Sequence, residues 1–172
     1  LEVAESRIQR EEKRYSAGFT SGIVYSMVGI GVETERRLDA DNTLGAQFML
    51  STSDLDQKLD ADNVKSGGLF YKRFLGNSFN ANIGLNYRTV QLSGYDIFGT
   101  FSDRIPDERY SDIAFSLNLG NQWQWENFTL GVNWIGISSP IATLDEARIN
   151  TTTEKLDGPS LNFFNITFGI PF

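Results

Sequence analysis

The chain closes with NFFNITFGIPF (residues 162–172), in which Phe164, Ile166, Phe168, Ile170 and Phe172 occupy every second position up to the last residue. A period of two marks a strand, whose successive side chains point to opposite faces. Asn165, Thr167 and Gly169 hold the other face, so one side of the ribbon is large and apolar and the other small and polar. Chain ends usually fray unless something holds them. A terminal strand this apolar needs a neighbour along its edge and an apolar medium against its face.

The same alternation recurs upstream. Leu44, Ala46, Phe48 and Leu50 form one row, and Val64 to Phe74 reads as a strand of mixed face. Phe79, Ala81, Ile83, Leu85 and Tyr87 stand opposite Asn80, Asn82, Gly84, Asn86 and Arg88. Ile113, Phe115, Leu117 and Leu119 stand opposite Ala114, Ser116, Asn118 and Gly120, and the row runs into Trp123 and Trp125. After a turn at Glu126 and Asn127, Phe128, Leu130, Val132 and Trp134 alternate with Thr129, Gly131 and Asn133. Two shorter strands are expected at Ser16 to Val24 and Val28 to Val32, where the apolar parity slips near Tyr25 to Met27 as a turn or bulge would make it. Residues 1–15 are a polar lead-in of helix-compatible composition without an apolar stripe, read as a solvated segment or as an arm that meets a partner. Leu1 is not a start methionine and carries no signal peptide, which is what a processed or trimmed chain would show.

The 15 cationic and 22 anionic side chains are clustered. They gather in residues 1–14, 33–41, 54–65, 96–112 and 145–157, and the stretches between carry almost none. A soluble sandwich places Lys and Glu on the solvent face of its strands, whereas here the faces opposite the apolar rows carry Asn, Gln, Ser, Thr and Gly. A cation facing lipid at mid-membrane costs about 2 to 4 kcal/mol and near nothing at the interface, so charge is expected in loops and at rims. Turns at 36–43, 75–78 and 126–127 alternate with loops at 54–63, 95–109 and 140–159. Phe74, Phe79, Trp123, Trp125, Phe128 and Phe172 all fall at the short-turn end, where an interfacial aromatic girdle would sit.

The C-terminal segment Phe164 to Phe172 resembles the last strand of bacterial outer-membrane barrels, whose closing aromatic residue is part of the signal read by the assembly machinery. The resemblance covers most of the chain as a pattern and only this segment as a motif. It implies an all-β fold, a closed antiparallel transmembrane β-barrel of residues 16–172 with short periplasmic turns and longer extracellular loops. Seven or eight strands are visible, and eight is expected because single-chain barrels have even strand numbers. The implied location is the outer membrane, with the lipid bilayer, the assembly machinery and other envelope proteins as partners.

Composition removes most chemistry. Cysteine and histidine are both absent, so Ser-His and Cys-His nucleophiles, thiolate sites and the commonest metal ligand are unavailable. A net charge of −7 and a pI near 4.6 argue against nucleic acid. Mean hydropathy is −0.27, and no run approaches the roughly 18 apolar residues of a membrane helix, a silence that says nothing of barrel strands. Asp54, Asp56, Asp60 and Asp62 lack the glycine and closing glutamate of a calcium loop and read as a solvated acidic stretch. No cofactor, metal site or enzymatic activity is expected. The remaining candidate is an inward polar network of Gln47, Asn82, Asn86, Arg88, Asn118, Gln122, Asn133 and Asn165, too tight in an eight-stranded lumen for more than side chains. A structural or partner-binding role in the envelope, through the loops or the N-terminal segment, is the expected function. A narrow channel and a soluble lipocalin-like barrel around a lipid are the alternatives.

Overall fold

The computed structural model describes residues 2–24, 27–54, 61–92, 108–145 and 159–172. A helix, α1 (Glu2–Glu12), precedes eight strands: β1 (Tyr15–Val24), β2 (Met27–Arg37), β3 (Asn42–Asp54), β4 (Ala61–Phe74), β5 (Phe79–Leu92), β6 (Glu108–Gln124), β7 (Thr129–Asp145) and β8 (Ser160–Pro171). Each strand pairs antiparallel with the next, and β1 returns to β8, so the sheet closes. At the seam Tyr15 and Phe172 exchange both backbone hydrogen bonds, at 3.0 and 2.8 Å, and their rings stack. Closure leaves no unpaired edge, which is what a sheet in hydrocarbon requires.

The period-two pattern decides which side faces out. Phe19, Ile30, Leu69, Leu85, Phe168 and Ile170 are among many large apolar side chains on the outer surface, with Phe19 76% and Leu69 70% exposed. A continuous apolar surface of this extent is unfavourable against water, at about 25 cal/mol per Å², and suits lipid. On β4 the outward row reads Lys65, Gly67, Leu69, Tyr71 and Arg73, with charge at both ends. Those ends lie roughly 26 Å apart along the strand, or about 20 Å along the axis after strand tilt, within the apolar band of about 25 Å that outer-membrane barrels expose.

Two details shape the wall. At β3–β4, Gly45 pairs with Phe70, whose ring lies over it; a Cβ on Gly45 would meet Phe70 Cζ at 2.1 Å. Gly45→Val is expected to lower stability by about 1 to 3 kcal/mol through overpacking, read as a lower urea midpoint in lipid vesicles. In β8 a bulge intervenes: Phe163 pairs with Ile23 and Ile135, and Asn165 with Asn133. Phe164 between them takes φ +48°. The bulge turns both Phe163 and Phe164 outward and sets the Phe164 ring edge-on to Trp134 at 6.3 Å.

The two largest departures of the strands from the sequence expectation are in β2 and β7. β2 continues through Glu33, Glu35 and Arg37, so only residues 38–41 form the turn, and β7 runs past Pro140 to Asp145. Pro140 donates no ladder bond, and the β6–β7 register shifts beside its partner Ala114. The turns at 38–41, 75–78 and 125–128 share one end with α1 and the seam. Most of the expected loop positions (55–60, 93–107, 146–158) lie outside the described residues.

Candidate functional site: a polar lumen beneath a helix

Inward positions on β2 carry Gly29, Gly31, Glu33, Glu35 and Arg37 in strict alternation, so three charges expected at a rim are inside the barrel. Lys72 on β4, Arg88 on β5 and Asp112 on β6 join them, all buried. This corrects the expectation that charge would be confined to loops and rims. The cost of a charge near lipid applies to the outer face, whereas the lumen supplies partners.

Glu35 is the hub. Its carboxylate accepts from Lys72 Nζ, from Gln122 Nε2 at 2.9 Å and from Ser16 Oγ at 3.1 Å. Lys72 also donates to Gln122 Oε1 at 2.6 Å and lies 3.7 Å from Glu33. The knot therefore ties β1, β2, β4 and β6 across the interior. Nearer the loop end, Arg88 and Asp112 face each other in register and make a two-pronged ion pair, the geometry that guanidinium and carboxylate favour.

Between these levels lies an amide layer. Gln47 donates to Asn86 Oδ1 and Asn86 to Ser116 Oγ, both at 2.9 Å. Asn165 Oδ1 accepts from Thr20, and Thr167 donates to Thr20 at 3.1 Å. Asn82, Asn118, Asn133 and Asn162 border a cavity of about 50 Å³, room for a few waters. Of the eight lumen residues singled out from sequence, Gln122 belongs to the charged knot, Arg88 to the ion pair and the other six to the amide layer.

Helix α1 sits across the short-turn mouth. Its sequence has no Gly or Pro and is rich in Glu, Arg, Gln and Ala, but at 11 residues it is marginal alone and depends on the barrel. Ser6 Oγ accepts from Gln124 N–H at 3.2 Å, and Gln124 Nε2 donates to Gln9 O at 2.9 Å. Arg10 donates to Ala40 O at 3.0 Å and lies 3.8 Å from the centre of the Phe74 ring. Burial first, then the neighbouring Arg37, push the Arg10 guanidinium down to about 10. Outside, Arg7 pairs with Asp41 at 3.1 Å. The segment is thus docked, not merely solvated.

Phe74 is accordingly not a girdle residue. It shares parity with Phe70 and Lys72, is 3% exposed and lies under Arg10. Phe79 and Phe128 are exposed, Trp123 and Trp125 half-buried, and Trp125 stacks on Phe128 at 4.2 Å across the β6–β7 turn. Phe164, Ile166, Phe168 and Ile170 of β8, and Phe172 just after it, all face outward. Among the described residues no group of His, Cys, Asp or Glu is arranged to hold a metal; Asp56 and Asp60 lie outside them.

No protein-family model and no curated protein sequence matches the chain. Solved structures do. The N-terminal β-barrel domain of Pseudomonas aeruginosa OprF superposes with a TM-score of 0.55 at 12% identity, covering 93% of this chain and 98% of that one. Neisserial surface protein A (NspA) gives 0.54 at 12% identity, covering 92% and 94%. The chain therefore has the eight-stranded antiparallel barrel fold of these proteins.

Proposed function

We propose that this chain is an integral barrel of the bacterial outer membrane, non-enzymatic and sealed, which acts through what it displays at its ends: the loops on one side and the α1 end on the other. The observation that carries this reading is the inversion of the fold, apolar outside and hydrogen-bonded polar inside. The terminal row Phe164 to Phe172 is the segment offered to the assembly machinery during insertion. A soluble barrel wrapped around a lipid would need the opposite orientation, since its apolar rows would line the cup.

The channel reading fares less well. Ion flow needs a continuous wet path, and the Glu35–Lys72–Gln122 knot and α1 both stand across it. The test has two arms. The chain refolded in detergent should migrate differently on a gel before and after boiling, as a closed barrel does; identical mobility and ready solubility without surfactant would defeat the membrane reading. In planar bilayers no unitary current steps are expected, and reproducible steps would favour the channel.

A further inference from the structure

The mouth beneath α1 carries an unbalanced charge. Among the described residues, the buried ionised groups there are Arg10, Arg37 and Lys72 against Glu33 and Glu35. Lys72 lies against both carboxylates. Glu35 is further engaged by Gln122 and Ser16, and meets Arg37 Nη2 only at 3.9 Å. Arg37 spends Nη1 on the carbonyls of Lys13 and Tyr15. Arg10 spends Nε on Ala40 and rests on the Phe74 ring. Its Nη1 and Nη2 are buried without an acceptor, as are Arg37 Nε and Nη2 and the Thr43 hydroxyl.

The residues that carry these donors are neighbours. Arg37 and Thr43 are directly paired across β2 and β3, and Ala40, which holds Arg10, lies in the turn that joins those strands. Arg10, Arg37 and Thr43 are 1%, 3% and 1% exposed. Burial first and then the nearby Arg37 lower the proton affinity of Arg10, against Asp41 and Glu35, which raise it. The unpaired acceptors of the same mouth, Gln9 Oε1 on α1 and Asn80 Oδ1 and Gln124 Oε1 on β5 and β6, are neutral amides that offset no charge. Asp41, the carboxylate facing Arg10, is on the surface and taken by Arg7.

We propose that Arg10, Arg37 and Thr43 form a binding site for a small monovalent anion of chloride's size, which balances the surplus guanidinium charge and fastens α1 over the mouth. A neutral water would fill hydrogen bonds but leave the charge uncompensated, and charge-assisted bonds to an anion satisfy both needs. The anion bridges the helix and the β2–β3 hairpin, so its occupancy governs how firmly the lumen is capped.

Chlorine NMR line width of a sodium chloride solution containing the detergent-solubilised full chain tests this directly. Excess broadening that bromide competes away is expected for the unaltered protein. It should be retained in Lys65→Met, which removes an exposed cation, and lost in Arg10→Met and Thr43→Val. Heat-modifiable gel mobility identifies the variants that fold. If Arg10→Met does not fold, Thr43→Val, which keeps both guanidinium groups and the shape of the side chain, decides alone. Absence of excess broadening in the unaltered chain, or equal broadening in the folded variants, overturns the proposal.

Discussion

Glu35→Ala is expected to cost about 3 to 5 kcal/mol of unfolding free energy, because removing one partner of a buried ion pair strands the other. Lys72 would keep Gln122 Oε1 and, as its remaining carboxylate among the described residues, Glu33 at 3.7 Å, while Gln122 and Ser16 would each lose an acceptor and Arg37 a carboxylate 3.9 Å away. Urea unfolding in lipid vesicles, followed by tryptophan fluorescence, measures the loss. The informative companion is Glu35→Leu with Lys72→Met. Replacing both charges by apolar groups of similar size removes the stranded charge, so the double variant should be more stable than the sum of the single losses implies, with a coupling of about 0.5 to 3 kcal/mol. Simple additivity would mean that the two side chains are not coupled and that the lumen is held by other contacts.

Leu69→Arg addresses the opposite face. Leu69 lies midway between Lys65 and Arg73 on the outward row of β4, at the depth where a cation costs about 2 to 4 kcal/mol. The same substitution at Phe79, beside the 75–78 turn, should cost only about 0 to 1 kcal/mol. The ratio matters more than either value, since a soluble protein has no depth axis. Equal effects at the two positions would remove the argument that this surface meets a bilayer.

The outward rows were legible because period-two alternation survives wherever one face is uniformly apolar. Phe79 to Tyr87 and Ile113 to Leu119 carry that signal without interruption, and the membrane-facing wall follows from them. The inner charges were harder to see. Glu33, Glu35 and Arg37 stand on the parity of Gly29 and Gly31, which was the available signal, but they adjoin Asp39 and Asp41 and so read as one charged turn. Their partners lie far away in sequence: Lys72 comes from β4 and Gln122 from β6. Phe74 was misplaced for a related reason. Its proximity to the turn suggested a girdle, while its inward parity acquires meaning only from Arg10, which reaches it from the helix. The β8 bulge was hidden by the doublet Phe163 and Phe164, where either parity satisfies the apolar rule and only φ +48° at Phe164 settles the register.

The seam between Tyr15 and Phe172 bears on how the molecule comes into being. Because the first and last strands complete the cylinder, every earlier stage has two raw margins ready to stick to anything extended, including another unfinished copy. Assembly therefore cannot be perfected piecemeal from the N-terminus. Closure waits for β8 and joins the residues most distant in the chain, the kind of pairing expected to form slowly.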